Sequence, residues 1–551
     1  MTDQPHGGRA VTGALKALGV DHLFTLTGGH IFPILDGAHQ DGIRIVDTRH
    51  EQSAAFAAEG WARLTRGLGV CAVTAGPGVT NAMSALAQAR FNSAPVLCLA
   101  GRAPGFRWGQ GSLQEIDHVP FVDPLAPGRT VTSTEAITGE VFAAAQSALD
   151  PPRGPRFLDF PLEVLFGSAG GGIGSPSNTA GSFDFELPPS VGPEAPDPGS
   201  IDRVAELLAR AERPVLVAGS NVWLDGAEKA LRDLVEAAEL PAFTNGQGRG
   251  CLPADHRLCF SRSRSRAFKE ADLVIVAGTP MDFRLGFGQG FAQGTAVVHL
   301  DSHPSLLASH LDLAASIGAP LDSTLSALAT GLSRTPDTKS WVEALRSTEE
   351  DKRASAQAEL GSEATPIHPM RVYGDLVPLL DRDAVVVCDG GDFVSYAGRE
   401  IPSYEPGCWL DPGPFGCLGV GPGYAMAARL AHPGRQVVLM YGDGAVGFSG
   451  MELETMVRLG LPVVCVVGNN GIWALEKYPM QALYGYDVAA ELRPGIRYDK
   501  VMEALGGRGF LVEQPAELAP ALKKAIDCGE PALVNVLTDP AVAYPRSSNL
   551  A

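Results

Sequence analysis

Two short polar motifs in the C-terminal third of the chain contain residue types that suit a metal ion. The turn Gly442–Gly444 reads Gly-Asp-Gly, and Asn469 and Asn470 follow further along, with each motif directly after an apolar run typical of a buried strand. A strand-helix-strand unit fits between them, so both strands are expected to end at one edge of a parallel sheet. Asp443, Asn470 and a nearby backbone carbonyl, which we assign to Ile472, would then offer oxygen ligands to a hard cation such as Mg²⁺.

The same turn also suits a diphosphate group. Glycine lets the backbone come close to phosphate oxygens, and Mg²⁺ keeps ligand positions open for them. Either motif alone is weak evidence, because Gly-Asp-Gly is a common turn and Asn-Asn a common loop pair. Their joint spacing after two predicted strands favours a cofactor site over a plain turn.

The elements that would position these motifs recur along the whole chain. Short β-branched runs alternate with Ala- and Leu-rich amphipathic segments, which is the pattern of strand-helix-strand units. The clearest predicted strands are 70–74, 95–100, 214–219, 273–278, 296–301, 384–388, 436–441 and 462–468. This alternation predicts an α/β fold with parallel sheets covered by helices on both faces, and with ligands at the carboxyl ends of the strands.

Two segments of different composition divide the chain. The first, 167–199, is dense in Gly, Pro and Ser, and the second, 333–365, is charged and partly helical in pattern. They separate 1–166, 200–332 and 366–551, each long enough to bury its own core. We therefore predict three doubly wound parallel-sheet domains: an N-terminal, a central and a C-terminal domain.

Composition limits the classes of protein to which the chain can belong. The 551 residues have a formal net charge of -19, which disfavours non-specific binding to nucleic acid or to anionic membranes. The nine cysteines form no Cys-x-x-Cys pair, and no apolar run reaches membrane-spanning length. The first ten residues lack the apolar stretch of a signal peptide, so we predict a cytoplasmic protein that binds neither nucleic acid nor membrane.

Two N-terminal stretches link the chain to a known family. The segment 49–60 reads Arg-His-Glu-Gln-Ser-Ala-Ala-Phe-Ala-Ala-Glu-Gly, and 74–81 reads Thr-Ala-Gly-Pro-Gly-Val-Thr-Asn. Together with the 442–444 and 469–470 motifs, they resemble the acetolactate synthase superfamily of thiamine-diphosphate enzymes. The resemblance implies a pyrimidine-binding N-terminal domain, a diphosphate-binding C-terminal domain and active sites shared between two subunits. The expected cofactors are thiamine diphosphate and Mg²⁺ without FAD, and the expected assembly is at least a homodimer, with a homotetramer favoured.

Glu51 opens an Ala-rich helical segment, where an unpaired carboxylate is costly. It could be a helix-start carboxylate favoured by the helix dipole. The resemblance instead implies that Glu51 contacts N1′ of the cofactor's aminopyrimidine and promotes loss of the thiazolium C2 proton, and we favour this role. Leu418 matches the bulky apolar residue that bends the cofactor into a V shape, with an ordinary core leucine as the alternative. The other cofactor contacts implied by the resemblance are Pro77, Asn81, Asp392, Phe393, Gly442, Gly444, Ala445 and Asn470.

Two sequence differences indicate which activities of the superfamily are disfavoured for this chain. Acetolactate synthases use a tryptophan shortly after the Asn-Asn pair to bind their oxo acid, and Pro479 occupies the matching place here. Oxalyl-coenzyme A decarboxylases usually have a Tyr-Glu pair where this chain has Leu113, Gln114 and Glu115. Both differences disfavour those two activities.

Other segments resemble 2-hydroxyacyl-coenzyme A lyases. The run 264–267 reads Arg-Ser-Arg-Ala, and 278–288 partly matches that family, although Pro280 and Asp282 differ from its usual Arg and Asn. The tail 544–550 resembles the Arg-Ser-Asn ending of the same lyases. Arginines suit nucleotide phosphates, although surface arginines are more often simply solvated. The contacts predicted for coenzyme A are Arg264, Ser265, Arg284 and Arg546.

We therefore predict a 2-hydroxyacyl-coenzyme A lyase, which cleaves the C1–C2 bond reversibly to give formyl-coenzyme A and an aldehyde or ketone. The rival activities are those of an acetolactate synthase and of an oxo-acid or oxalyl-coenzyme A decarboxylase. A non-catalytic cofactor-binding protein is a third alternative. The presence of Glu51, Asp443 and Asn470 together weighs against it.

The predicted cleavage needs a base for the proton of the 2-hydroxyl group. The candidates are Glu491 and His30, with Gln114 as a hydrogen-bond partner. Glu491 is slightly favoured, because the superfamily tends to have mobile covering segments in that region. The alternative is proton transfer through the cofactor's own amino group and water.

Overall fold

Three parallel β-sheets organise the chain. The computed structural model describes residues 6–167, 194–542 and 544. Each sheet has six strands, and helices connect successive strands. The predicted α/β class with three doubly wound domains is therefore confirmed.

The chain divides into two compact units. The first comprises residues 1–192, 415–431 and 449–455 and contains the N-terminal sheet. The second comprises residues 193–414, 432–448 and 456–551 and contains the central and C-terminal sheets.

The N-terminal sheet has the strand order β2-β1-β3-β4-β6-β5. Its strands are β1 His22–Thr25, β2 Arg44–Asp47, β3 Gly69–Val73, β4 Val96–Arg102, β5 Gly128–Thr130 and β6 Arg156–Pro161. Its helices are α1 Gly7–Ala17, α2 Phe32–Gln40, α3 Glu51–Thr65, α4 Pro77–Phe91, α5 Val119–Val122, α6 Ile137–Leu149 and α7 Leu162–Phe166. The chain leaves β1 toward one side of the sheet and returns on the other side at β3, so a ligand crevice is expected at the ends of these two strands.

The central sheet has the order β12-β11-β10-β7-β8-β9. Its strands are β7 Pro214–Ala218, β8 Ala242–Thr244, β9 Cys259–Phe260, β10 Leu273–Ala277, β11 Ala296–Asp301 and β12 Ala315–Gly318. Its helices are α8 Pro198–Arg210, α9 Ser220–Leu224, α10 Glu228–Ala237, α11 Arg264–Glu270, α12 Leu321–Gly331 and α13 Lys339–Leu360.

Helix α13 occupies most of the predicted second linker, 333–365, and packs on the central domain. The Trp341 indole is buried and donates a hydrogen bond of 3.1 Å to the Pro214 carbonyl oxygen. The Glu349 carboxylate accepts backbone hydrogen bonds from Ser261 and Ser263. Of the predicted first linker, 167–199, residues 168–193 lie outside the described residues.

The C-terminal sheet has the order β14-β13-β15-β16-β18-β17. Its strands are β13 Val385–Asp389, β14 Trp409–Leu410, β15 Val437–Gly442, β16 Val464–Asn469, β17 Arg508–Val512 and β18 Ala532–Leu537. The helices of this part of the chain are α14 Pro369–Leu376, α15 Asp392–Glu400, α16 Gly421–Ala431, α17 Asp443–Ser449, α18 Glu452–Arg458, α19 Ala474–Tyr484, α20 Tyr498–Ala504 and α21 Pro515–Asp527. The strand order reverses between β13 and β15, which is the expected ligand position for this sheet.

Several strands near the middle of the sheets are buried along their whole length. Strands β3, β10 and β13 have no exposed residue, which is why their sequences read as continuous apolar runs. In the described part of the chain, no helix combines the length and the apolar character needed to cross a membrane.

Candidate active site

Glu51 lies at the first position of α3, in the first compact unit. The helix begins there because the His50 side chain accepts a hydrogen bond from the Gln52 backbone N–H, which caps the N-terminus. The Glu51 side chain is only 7% exposed. Its Oε2 accepts a hydrogen bond of 3.0 Å from Asn81 Nδ2 on α4. Glu51 is therefore a nearly buried carboxylate held by a residue that sequence analysis had also assigned to the cofactor.

The start of α4 requires glycine at two places. Gly76 has a φ of +60°, and a Cβ added there would lie 2.9 Å from the Gln114 Cβ. A Cβ added at Gly78 would lie 2.9 Å from Thr74 Cγ2 and 3.6 Å from Glu51 Oε1. The absence of side chains at these positions lets the start of α4, with Pro77 as its first residue, come close to Glu51.

His30 and Gln114 meet at the ends of β1 and β3. His30 Nδ1 lies 3.2 Å from Thr74 Oγ1, which in turn donates a 3.4 Å hydrogen bond to Gln114 Oε1. Burial lowers the pKa of His30, and His118 nearby acts in the same direction. The structure thus brings together two of the three residues predicted for proton transfer, in surroundings that favour the neutral form of His30.

Leu418 belongs to the same compact unit as Glu51. It is half-buried, in the loop that precedes α16. The backbone N–H of its neighbour Cys417 donates a 2.8 Å hydrogen bond to Gln88 Oε1 on α4. Helix α4 thus contacts Glu51 through Asn81 and anchors the Leu418 loop through Gln88.

Asp443 and Asn470 lie at the ends of β15 and β16, in the second compact unit. Asp443 is 5% exposed and accepts hydrogen bonds from the backbone N–H groups of Gly444, at 2.9 Å, and Gly471, at 2.7 Å. Asn470 Oδ1 accepts a 3.2 Å hydrogen bond from the Ile472 backbone N–H. The Gly471 bond joins the two loops, so the oxygens predicted to bind a metal come from connected segments.

This donor set suits a hard divalent cation. It offers one carboxylate together with amide and carbonyl oxygens, the ligand types that Mg²⁺ accepts. Among the described residues, Asp443 forms no ion pair, and burial raises its pKa to about 6. A nearly buried carboxylate without a cationic side chain is costly, and a bound metal ion would compensate its charge.

Binding of Mg²⁺ is expected to weaken as the pH falls through about 6, because protonated Asp443 cannot bind the metal. Above this pH the carboxylate is ionised and affinity should be constant. Below it, affinity should fall about tenfold per pH unit. Titration calorimetry with Mg²⁺ and thiamine diphosphate measures the effect, and a flat profile down to about pH 5 would exclude Asp443 as the titrating ligand.

The strand ends of β13 and β15 approach each other closely enough to form a backbone cradle. A Cβ added at Gly390, which has a φ of +128°, would lie 3.1 Å from the Gly442 backbone nitrogen. A Cβ added at Gly444 would lie 2.4 Å from the Trp473 ring. Glycine is thus required on both loops, and Ala445, the next residue, is buried. The absence of side chains at these positions lets a diphosphate come close to the backbone of both loops.

Asp392 and Phe393 begin α15 beside this cradle. The Asp392 carboxylate accepts a 2.7 Å hydrogen bond from the Tyr544 backbone N–H. The Phe393 ring lies over Gly468, whose added Cβ would be 2.5 Å from it, and belongs to the apolar core of the C-terminal domain. Phe393 therefore packs on a strand of the cradle, and its predicted contact with the cofactor stays a prediction.

Glu491, the third residue predicted for proton transfer, is solvent-exposed. Its side chain is 61% exposed and forms an ion pair with Lys477. Its backbone forms an antiparallel bridge with Ile472. The residue thus neighbours the Asp443 loop, while its carboxylate is neutralised by a lysine.

In the central domain, Arg264 and Arg284 differ in whether a carboxylate neutralises their charge. The Arg264 guanidinium donates to Asn245 Oδ1 at 2.8 Å and to the Arg284 carbonyl oxygen at 3.4 Å, and it pairs with no carboxylate of the described residues. Burial and the nearby Arg284 lower the pKa of Arg264 to about 10. Arg284 pairs with Asp282 at 2.7 Å, so its charge is compensated internally. Ser265 is exposed, and Arg546 lies outside the described residues.

Sequence reasoning did not find His118 and Asp159. His118 is buried, accepts a 2.9 Å hydrogen bond from the Gly76 backbone N–H, and lies 2.9 Å from Asp159. Neither residue belongs to a recognisable motif, and they come together only because β6 lies beside β4. No local signal pointed to them.

Comparisons with known proteins identify the family of the chain. Three family models match: the N-terminal TPP binding domain of thiamine pyrophosphate enzymes over residues 5–121, their central domain over 201–328, and their C-terminal TPP binding domain over 389–536. The chain belongs to the thiamine pyrophosphate enzyme family. The predicted superfamily is confirmed, and the protein is a thiamine-diphosphate-dependent enzyme.

Relatives that align with nearly the whole chain are named for two different activities. The chain is 56% identical over 547 residues to the acetolactate synthase large subunit IlvG of Mycobacterium tuberculosis, which covers 99% of this chain and 98% of that protein. It is 36% identical over 582 residues to 2-hydroxyacyl-CoA lyase 2 of Caenorhabditis elegans, covering 97% and 89%. The human protein of the same name is 34% identical, covering 97% and 90%.

Proposed function

We propose that the chain is a 2-hydroxyacyl-coenzyme A lyase that uses thiamine diphosphate and Mg²⁺. The C1–C2 bond of the substrate breaks, the 2-hydroxyl proton is removed as the carbonyl forms, and C1 gains a proton. A 2-hydroxyacyl-coenzyme A thus yields formyl-coenzyme A and an aldehyde or ketone, with all atoms accounted for. Relatives named 2-hydroxyacyl-CoA lyase 2 at 34–36% identity support this assignment.

The observation that most favours an acyl-coenzyme A substrate is that Arg264 is partly buried and pairs with no carboxylate of the described residues. A partly buried guanidinium without a carboxylate partner is costly, and a phosphate would compensate it through paired hydrogen bonds. Asn245 offers only a neutral oxygen, and the neighbouring Arg284 adds positive charge. Because Asp282 already neutralises Arg284, Arg264 is the better phosphate ligand of the two.

Thiamine diphosphate, when bound, supplies a thiazolium that stabilises the negative charge formed when the C–C bond breaks. Asp443, Asn470 and the Ile472 carbonyl would hold the metal ion that binds its diphosphate. Glu51 would exchange a proton at N1′ of the aminopyrimidine, while Asn81 fixes the orientation of its carboxylate. The position of these residues supports the proposed roles, since both sets lie after the carboxyl ends of strands.

Two groups are candidates for accepting the 2-hydroxyl proton, and they differ in burial and in their partners. His30 is buried, and burial lowers its pKa, which favours the neutral imidazole, in which one ring nitrogen can accept a proton. Glu491 has an ionised partner in Lys477 and must lose this ion pair before it can act near a buried substrate. Gln114 contacts the same threonine as His30 and would orient the substrate hydroxyl group.

Acetolactate synthesis is the second candidate function. The relative of that name at 56% identity favours it. Pro479, in α19, argues against it. By the resemblance described above, acetolactate synthases have a substrate-binding tryptophan at the matching position. The two activities share the cofactor and differ in the group that is released.

Product analysis distinguishes these functions. The purified protein, supplied with thiamine diphosphate and Mg²⁺, is incubated separately with pyruvate, oxalyl-coenzyme A and 2-hydroxyacyl-coenzyme A esters, and the products are identified by mass. We expect formyl-coenzyme A and an aldehyde from the esters. Acetolactate and carbon dioxide from pyruvate, with the esters unchanged, would replace this proposal with the second candidate.

Replacing Arg264 with alanine is expected to raise KM for acyl-coenzyme A about 10- to 100-fold with little change in kcat, because a charged hydrogen bond to a remote phosphate is lost equally in ground and transition states. Lys269→Ala, which removes an exposed positive charge from the same helix, is the control. Steady-state kinetics over a range of substrate concentrations measures both constants. An unchanged KM in Arg264→Ala would move the nucleotide site elsewhere.

A further inference from the structure

We propose that His118 is a positioning residue that holds the start of α4 against Glu51 by accepting a hydrogen bond from the Gly76 backbone N–H. The inference depends on the proposed role of Glu51 toward the cofactor. It does not depend on which acyl substrate is cleaved. His118 belongs to none of the motifs that identify the family.

The hydrogen bonds of His118 define its tautomer. Its Nε2 lies 2.9 Å from the Gly76 backbone nitrogen, and a backbone N–H can only donate, so Nε2 is the acceptor. Its Nδ1 lies 2.9 Å from Asp159 Oδ2, so Nδ1 bears the proton and donates it to the carboxylate. A second proton on Nε2 would face the Gly76 N–H, and this contact would be repulsive.

The Gly76 turn is the point at which this contact acts on the site. Gly76 has a φ of +60° and immediately precedes α4, whose Asn81 donates to Glu51. The segment that leads to His118 also contains Gln114, which has a φ of +59° and lies against Gly76. One imidazole therefore fixes both the backbone turn before α4 and the segment that places Gln114 next to Thr74.

The surroundings of His118 explain how a buried imidazole is kept oriented. From β6, Asp159 accepts the hydrogen bond from Nδ1, and from β4, Arg102 donates to the same Asp159 oxygen at 2.9 Å. Arg102 also pairs with Asp117 at 3.0 Å. His30 is the other histidine near it, and His118 contributes to the lowered pKa of His30. His118 itself is 1% exposed, so these contacts are shielded from water.

Two substitutions isolate the acceptor role of His118. Glutamine places an oxygen near the position of Nε2 and accepts the Gly76 hydrogen bond, whereas leucine fills the space without an acceptor. The measurements are the dissociation constant of thiamine diphosphate with Mg²⁺ and the rate at which the bound cofactor exchanges its C2 proton, at a pH above about 6, where Asp443 is ionised.

We expect His118→Leu to slow C2 exchange about 10- to 100-fold, as for loss of one buried hydrogen bond. His118→Gln should exchange at close to the parent rate, because it restores the acceptor for the Gly76 N–H. If His118→Leu is folded and exchanges normally, or if His118→Gln is as slow as His118→Leu, the proposal is wrong. If His118→Leu does not fold, the comparison of His118→Gln with the parent decides alone.

The same experiment separates this inference from the proposals on which it rests. Glu51→Gln is measured in parallel, and normal C2 exchange in that variant would remove the role of Glu51 and leave nothing for His118 to position. Neither measurement uses an acyl-coenzyme A ester. A failure of the lyase assignment therefore leaves the His118 result interpretable.

Discussion

Replacing Glu51 with glutamine is expected to lower turnover by about 100- to 10,000-fold, the range typical of a lost acid-base group, while the fold is retained. Glutamine keeps an oxygen that can accept the hydrogen bond from Asn81 Nδ2, so the local packing is preserved. It cannot exchange a proton at the aminopyrimidine. The measurement is kcat together with the affinity for thiamine diphosphate, which should change much less than kcat.

Glu140→Gln serves as the matched control for this variant. Glu140 is a glutamate of the same domain, in the first turn of α6, and pairs with Arg129 at 3.1 Å. The control should keep full activity and the same melting temperature as the parent. A near-normal kcat in Glu51→Gln would show that Glu51 is only a helix-start carboxylate.

Replacing Asp443 with alanine is expected to remove thiamine diphosphate and Mg²⁺ binding together. The substitution deletes a charged ligand and the acceptor for the Gly444 and Gly471 N–H groups, so the two loops lose their connection. Loss of two charged hydrogen bonds corresponds to an affinity about 100-fold lower or more. Calorimetry of both ligands, alone and together, measures the effect.

The control for this second variant is Asp527→Ala. Asp527 ends α21 in the same domain and pairs with Lys523 at an exposed position, so its loss should leave both affinities unchanged. Tight cofactor binding by Asp443→Ala without added metal would contradict the metal site at 443 and 470. Loss of the metal alone, with the cofactor still bound, would also contradict it.

The sheets could be predicted from sequence because their central strands are buried on both faces. Predicted strands 70–74 and 273–278 correspond to β3 Gly69–Val73 and β10 Leu273–Ala277 within one residue at each end. Edge strands such as β9 Cys259–Phe260 and β14 Trp409–Leu410 are only two residues long. Their extent is set by pairing with a neighbouring strand, so periodicity cannot reveal them.

Local motifs made part of the site predictable. Asp443 and Asn470 each follow a strand directly, and parallel pairing of β15 with β16 brings them to the same edge. The contacts of His118 could not be predicted, because Asp159 comes from a strand that is distant along the chain. The sequence also could not predict that Arg284 pairs with a carboxylate while Arg264 contacts an amide oxygen, since only the fold places Asn245 beside Arg264.

The most direct test of the account is a single-turnover reaction with a 2-hydroxyacyl-coenzyme A ester that contains ¹³C at C1. Breaking the C1–C2 bond places C1 in the formyl group, so we expect labelled formyl-coenzyme A and an unlabelled aldehyde in equal amounts. The reaction should require both thiamine diphosphate and Mg²⁺. Recovery of intact labelled ester from the fully loaded enzyme, under conditions in which pyruvate is converted to acetolactate, would contradict the proposed function.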